Sequence, residues 1–527
     1  MRRIWSLGAV GLYALVGVAV AQDAPGTTDE ARDRFNEGRQ AFQQGDYEAA
    51  RTAFQAAATL RPESAELLVW LGTTCLKIGD AATAAGNAEA ATTANQEAKQ
   101  HLEAAAALQP DLGLAWNNLG KAYYELGDLD NAERCFKEAL AKPPQPNQSR
   151  TYVADAHRNL GLVYQRRENR PAAIEQFQAA IAENANDAEA WGLVGQTHRD
   201  AGALPDAEQA YAKYTELSPQ ALPGWLALGD IRLELGRYQE AAEAYKQAYG
   251  LDANSGDAAL GLGTAWYYVR TKAHEPPTEA EPYLRQASEL LPESFAGWYN
   301  LGLTLKELGR YQEALSAFDT ASRLQPERAP VYNQLGYAYF FLSRNEPRQL
   351  EQAEAAFRRA VGLDPTLYEA WVNLALIGEK LQKTPETQAT WQEILQRFPE
   401  RATAHLGYGN FLFDHRGDNP AFLDQAMLEF QRAVQADDTL VEGCNNLGLV
   451  YLEKKQPVEA MVQFRKALHI DPRYPYALNN LGVAHELMGE LDEACRRYRE
   501  ALQVDPEFQL AKDNFERLKC ADRLGGQ

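Results

Sequence analysis

From residue 31 onward the apolar positions follow one rule. Trp298, Leu301 and Gly302 are followed by the turn Gly309-Arg310-Tyr311, then by Ala314, Phe318, Ala321 and Pro326. The same order returns at Trp225, Leu228, Gly229, Gly236, Ala241, Tyr245 and Ala248, and at Trp116, Leu119, Gly120, Gly127, Ala132, Phe136, Ala139 and Pro144. Apolar residues three and four apart, a glycine-marked turn, and a second such run predict two amphipathic helices per unit. The unit is 34 residues long. Thirteen copies start at residues 31, 65, 113, 154, 188, 222, 256, 295, 329, 368, 402, 441 and 475.

The repeated residues have a packing logic. Position 8 is Gly in every copy but one, where Ala375 stands, and position 20 is Ala except at Thr387. Position 24 is aromatic except at Leu102 and Leu284. Small residues at 8 and 20 let the two helices approach, and the ring at 24 fills the space beside them. Gly at position 15 suits a helix C-terminus, and Pro at position 32 stops the second helix. Trp116, Trp191, Trp225, Trp298 and Trp371 all fall on position 4, so they are expected in the core of their own repeats.

These residues resemble the tetratricopeptide repeat (TPR) family over about residues 31–508. The resemblance implies an all-α fold: a right-handed TPR solenoid or superhelix of about thirteen helix-turn-helix repeats with a C-terminal capping helix. The expected organisation is a signal peptide at 1–21, a linker at 22–30, an N-terminal block of repeats 1–3 at 31–144, a Pro-containing joint at 145–153, a main array of repeats 4–13 at 154–508, and a capping helix and tail at 509–527. Fourteen extra residues in repeat 2 predict a longer second helix, given their Ala content. Repeats 7, 9 and 11 each gain five residues between their helices. Surface loops accept such insertions at small entropic cost.

The resemblance also implies that the first helix of each repeat lines a concave groove. Position 6 carries Asn36, Asn118, Asn159, Asn300, Gln334, Asn373, Asn446 and Asn480, and position 5 adds Asn117, Asn333, Asn445 and Asn479. An amide offers two donors and one acceptor oxygen, so a ladder of them suits the backbone of an extended peptide. The same amides could serve the boundary between helices instead. Tyr267, Tyr268, Tyr299, Tyr337, Phe340, Phe341 and Phe413 are the aromatic candidates for side-chain pockets. The chaperone-tail clamp of some relatives needs Lys or Arg at positions 2, 5 and 6. Position 6 is never basic here, and position 5 only at Arg158.

Composition narrows the function. Lys and Arg number 52 against 73 Asp and Glu, a formal charge of −21. That excludes a generic nucleic-acid binder. Cys is too sparse for a disulfide scaffold or a zinc site. No phosphate-binding loop, metalloprotease or nucleophile-elbow motif occurs, so no catalytic residue, cofactor or metal is expected. Cys495 and Cys520 come to similar height if the cap folds back as a hairpin. Ordinary spacing of adjacent helices, about 8–10 Å, then opposes a disulfide unless both thiols face the seam.

Residues 1–21 combine Arg2 and Arg3, an apolar run from Ile4 to Val20 and a small-x-small end at Ala19-Val20-Ala21. The expected product is an extracytoplasmic, non-enzymatic scaffold that binds an extended peptide or partner protein in cell-envelope assembly or export, with no nucleic-acid partner and no membrane insertion after cleavage. The rival readings are a polysaccharide-binding export factor and a scaffold anchored by an uncleaved N-terminus. N-terminal sequencing of the chain recovered from its natural host decides the last point. The expected first residue is Gln22, and a start at Met1 establishes the anchor.

Overall fold

The computed structural model describes residues 28–142, 151–344, 348–417 and 419–525. The expected signal peptide, most of the linker and Pro-containing joint, and parts of the insertions in repeats 9 and 11 lie outside these residues. The described residues form 28 helices and no strand. The fold is all-α and of the TPR solenoid class, and within each of two compact units successive helical hairpins stack on one another. Eleven of the thirteen repeats open their first helix at the residue given by the period; repeats 1 and 4 open three residues earlier, at Thr28 and Thr151. Two compact units part between Leu290 and Leu291, so repeats 1–7 form the first and repeats 8–13 with the cap form the second. The expected division after residue 144 is not where the units part. Within the first unit, Asn159 of repeat 4 bonds Asn117 of repeat 3, and Tyr164 bonds Glu133.

Close approach of the two helices in each repeat rests on position 8. A Cβ placed on Gly302 would lie 2.6 Å from the Phe318 ring, and one on Gly448 would lie 2.4 Å from Phe464. Both rings are fully buried. Repeat 10 breaks the rule at two positions and restores it elsewhere. Ala375 replaces the glycine, Thr387 replaces the alanine, and the ring at position 24 is the larger Trp391. The missing space reappears at Gly378, where a Cβ would meet Thr387 Oγ1 at 2.4 Å, and at Gly407 of the next repeat, 2.3 Å from Trp391. The exceptions are one repacked solution at native density.

The turn between helices demands a left-handed residue. Gly127, Gly236 and Gly309 adopt φ of 81°, 72° and 73°. Where glycine is absent, the conformation persists: Glu168, Gln382 and Lys455 sit at φ 56–58°. Stacking of the repeats therefore overrides a local cost of about 1–2 kcal/mol at each non-glycine position.

Position 4 does more than fill the core. The indole N–H of Trp116, Trp225, Trp298 and Trp371 donates to the carbonyl of Pro110, Pro219, Pro292 and Pro365, at 2.9–3.0 Å. Trp191 reaches Ala185 in the same way, and Tyr332 reaches Pro326. In these repeats the residue at position 4 thus ties the repeat to the carbonyl that ends the preceding one. His405 continues the pattern to Pro399 through Nε2 and adds a 2.6 Å contact from Nδ1 to buried Glu429.

The insertions are absorbed by helices as much as by loops. In repeat 2 both helices lengthen, to Ala65–Ala84 and Ala88–Leu108, rather than the second alone. Repeat 7 extends its first helix to Lys272, and repeat 11 gains a 16-residue second helix, Ala421–Ala436.

The expected single capping helix is broken. Gln509–Arg517 ends before left-handed Lys519, and a short helix, Cys520–Arg523, follows. That turn replaces the straight hairpin on which the spacing argument against a disulfide rested. It places Cys520 with its Cα 5.2 Å from that of Cys495, and the two are disulfide-bonded. Cys75, Cys135 and Cys444 are buried free thiols. Titration of the unfolded, unreduced protein should therefore count three thiols, against five after reduction. Finding five without reductant removes the bond.

Candidate functional site

The asparagine ladder is real and runs between repeats. Asn118 donates to Thr73 and Asn159 to Asn117 in the first unit. In the second unit Asn373 donates to Asn333, Asn446 to Asn410, Asn480 to Asn445 and Asn514 of the cap to Asn479, at 2.8–3.0 Å. Within a repeat, Asn445 donates to Asn446 and Asn479 to Asn480. Asn118, Asn333, Asn445 and Asn479 are buried, so their amides serve the helix boundary. Asn159, Asn300, Asn373, Asn446 and Asn480 are half-buried. Asn446 and Asn480 each give one N–H and accept one bond within the ladder, which leaves a second N–H and a lone pair for a ligand.

Two of the gaps in the ladder have a physical cause. Position 6 is Gly261 in repeat 7 and Gly407 in repeat 11. Each faces an oversized ring from the preceding repeat: Tyr245 would lie 2.2 Å from a Cβ at Gly261, as Trp391 lies close to Gly407.

The aromatic candidates divide. Tyr268, 40% exposed, stacks on Tyr238 with ring centres 4.8 Å apart, and Phe341 stacks on Tyr311 at 4.5 Å. In both pairs position 13 of one repeat covers the start of the preceding second helix, so these rings pack along the turn edge. Tyr267 contacts Tyr268 at 5.3 Å, and Phe413 carries the Arg416 guanidinium at 4.2 Å. Tyr299 packs between Phe295 and Phe318. Tyr337 and Phe340 remain half-buried, with the ammonium groups of Lys306 and Lys380 each 5.7 Å from the nearer ring centre. Lys306 also bonds Gln334 at 3.2 Å.

The two grooves differ in chemistry. In the first unit the first helices carry ion pairs: Lys121 with Asp80 at 3.0 Å, Arg199 with Glu234 at 2.7 Å, and Arg158 with Asp155, Asp187 and Glu189. Burial raises the carboxyl pKa of Asp155 and Glu125, and burial together with Lys121 pushes Lys77 down to about 8. Charged residues at positions 2, 5, 9, 12 and 13 of the first helices are the sequence signal for this network. In the second unit, position 9 is instead Leu303, Tyr337, Leu376, Asn410, Leu449 and Val483, a mostly apolar row beside the amides. Leu376 is 46% exposed. Among the described residues no helix is long and apolar enough to cross a membrane.

Family models agree with the period. Tetratricopeptide repeat models match residues 35–97, 111–182, 158–221, 222–255, 441–474 and 475–508. The model described as the cytochrome c-type biogenesis protein H TPR domain matches residues 283–405. The human protein O-mannosyl-transferase TMTC3 is 25% identical over 258 residues, which cover 48% of this chain and 26% of that protein. The cytochrome c-type biogenesis protein CycH of Rhizobium meliloti is 33% identical over 114 residues, 22% of this chain and 29% of CycH. The chain thus spans well under half the length of either relative. Yeast Tom70 aligns in structure over 94% of this chain and 96% of its own, at 16% identity and a TM-score of 0.40.

The ladder geometry predicts a stability cost. Replacing Asn446 and Asn480 together by Ala should lower unfolding free energy by about 1–3 kcal/mol per site, because buried amide partners lose their bonds. Urea unfolding measures it, and an unchanged midpoint would show that the ladder holds nothing together.

Proposed function

Because the chain belongs to the tetratricopeptide repeat family, we propose that it is a non-enzymatic scaffold whose second unit holds an extended polypeptide segment in its concave groove. The observation that carries this reading is the pairing of half-satisfied amides with an apolar row on the same helices. The amides suit peptide backbone groups, and the row with Tyr337, Phe340 and Leu376 suits apolar side chains. The first-unit groove is a poorer receptor, because its charges already answer one another.

Two features favour work outside the cytoplasm. The Cys495–Cys520 bond fits an oxidising compartment, and the expected signal peptide supplies a route to it. The match of residues 283–405 to the cytochrome c-type biogenesis TPR domain suggests unfolded polypeptide, and apocytochrome c in particular, as the client.

Binding of the full chain to haem-free, unfolded cytochrome c, measured by fluorescence anisotropy, tests the proposal. The unfolded form should bind and the folded holoprotein should not. Tyr337→Ala with Phe340→Ala should weaken binding about tenfold, as loss of aromatic anchors does at other interfaces. Equal affinity for folded and unfolded cytochrome, or an unaffected variant, would overturn the groove assignment.

A further inference from the structure

The first helices of repeats 8 and 10 each carry a cation beside a ring of repeat 9, and the two are not equivalent. Lys306 is occupied: its ammonium bonds Gln334 and pairs with Glu307 at 3.1 Å. Lys380, at position 13 of repeat 10, is exposed and has no carboxylate oxygen within ion-pair distance among the described residues. Its sequence neighbour Glu379 accepts the Trp391 indole N–H at 3.2 Å and feels the Lys380 charge without forming a direct ion pair with it. Lys383, three residues on, is held by Glu354 at 2.6 Å. Lys272 over Tyr238 and Arg401 over Tyr368 are cations placed on rings in the same way, and Lys380 is the one that stands beside an exposed leucine, Leu376, on its own helix.

Its surroundings are apolar. The Lys380 ammonium stands 5.7 Å from the centre of Phe340, and Leu376, one helical turn before Lys380, is 46% exposed. A cation held by a ring face keeps its field for a further anion. An acidic group set beside it would be drawn by a charge that forms no direct ion pair among the described residues, while the neighbouring apolar surface takes flanking hydrophobic side chains. The cation also stands outside positions 2, 5 and 6, so the chaperone-tail arrangement does not describe it.

Resting on the peptide-groove reading above, we infer that repeats 8–10 select segments in which an acidic side chain lies beside large apolar ones, with Lys380 receiving the carboxylate and Phe340 and Leu376 receiving the apolar neighbours. Specificity then comes from one charge, and affinity from the apolar row and the amides.

Two fluorescein-labelled dodecapeptides test this on the full chain. One repeats Leu-Asp-Ala-Leu and the other replaces every Asp by Asn. Wild type should bind the Asp peptide about three- to fivefold tighter at low ionic strength, the range of a single exposed ion pair, and salt should erase the difference. Lys380→Met should equalise the two peptides, and Lys380→Glu should reverse the preference. Lys380 is exposed, so both variants should keep the wild-type melting curve. A preference that survives Lys380→Met, or no preference in wild type while both peptides bind, overturns the inference and leaves the groove reading standing. Failure of both peptides to bind wild type overturns the two together.

Discussion

The fold depends on a missing atom. At position 8 of nearly every repeat the first helix has no Cβ, and the ring at position 24 of the second helix occupies its place. Gly482 and Tyr498 illustrate the tolerance, since a Cβ there would lie 2.6 Å from the ring. Dense interiors leave no slack for an added methyl group, so the contact fixes how closely each hairpin closes. Everything on the concave side inherits that spacing, because the first helices that line the groove are the ones pressed against those rings.

The same constraint reaches from one repeat to the next. Tyr245 presses on Gly229 of its own hairpin and also on Gly261 of the following first helix, and Trp391 presses on Gly407 of the following one. The groove pays for this at Gly261 and Gly407, where the amide of position 6 is lost. These two gaps are consequences of core packing, and the one at Gly407 separates the Asn333–Asn373 pair from the run that goes from Asn410 to Asn514 of the cap. The position 4 bonds to the preceding carbonyl act alongside, since each crosses a repeat boundary at a point the ladder does not reach.

Periodicity made the fold legible in the sequence. Glycine, alanine, ring and proline at fixed positions located eleven of the first helices to the residue, because each of those residue types answers one steric demand. The cap was misjudged for the opposite reason: nothing repeats beyond residue 508, and left-handed Lys519 has no glycine to announce it. The groove was legible by residue type and illegible by direction. Position numbers put Tyr268 and Phe341 among the groove rings, whereas they stack on Tyr238 and Tyr311 at the turn edge. Stacking depends on a partner in the preceding repeat, which single-repeat reasoning does not contain. The ion pairs of the first unit escaped for a similar reason, since they join residues about 30 to 40 positions apart in the chain, as Lys121 and Asp80 do.

The amides need not be assigned to structure or to binding alone. A buried amide must have its groups satisfied, and Asn445 and Asn479 meet that need through their neighbours. A half-buried amide is under no such demand on its outer edge, because water can satisfy it. Asn446 and Asn480 are therefore held in place by one side of the amide and open on the other. Ladder bonding fixes their orientation before any ligand arrives, which lowers the ordering cost of recognition. A peptide laid across them would replace water on the open edge and leave the inner bonds intact. The groove is pre-organised by the same contacts that hold successive repeats in register.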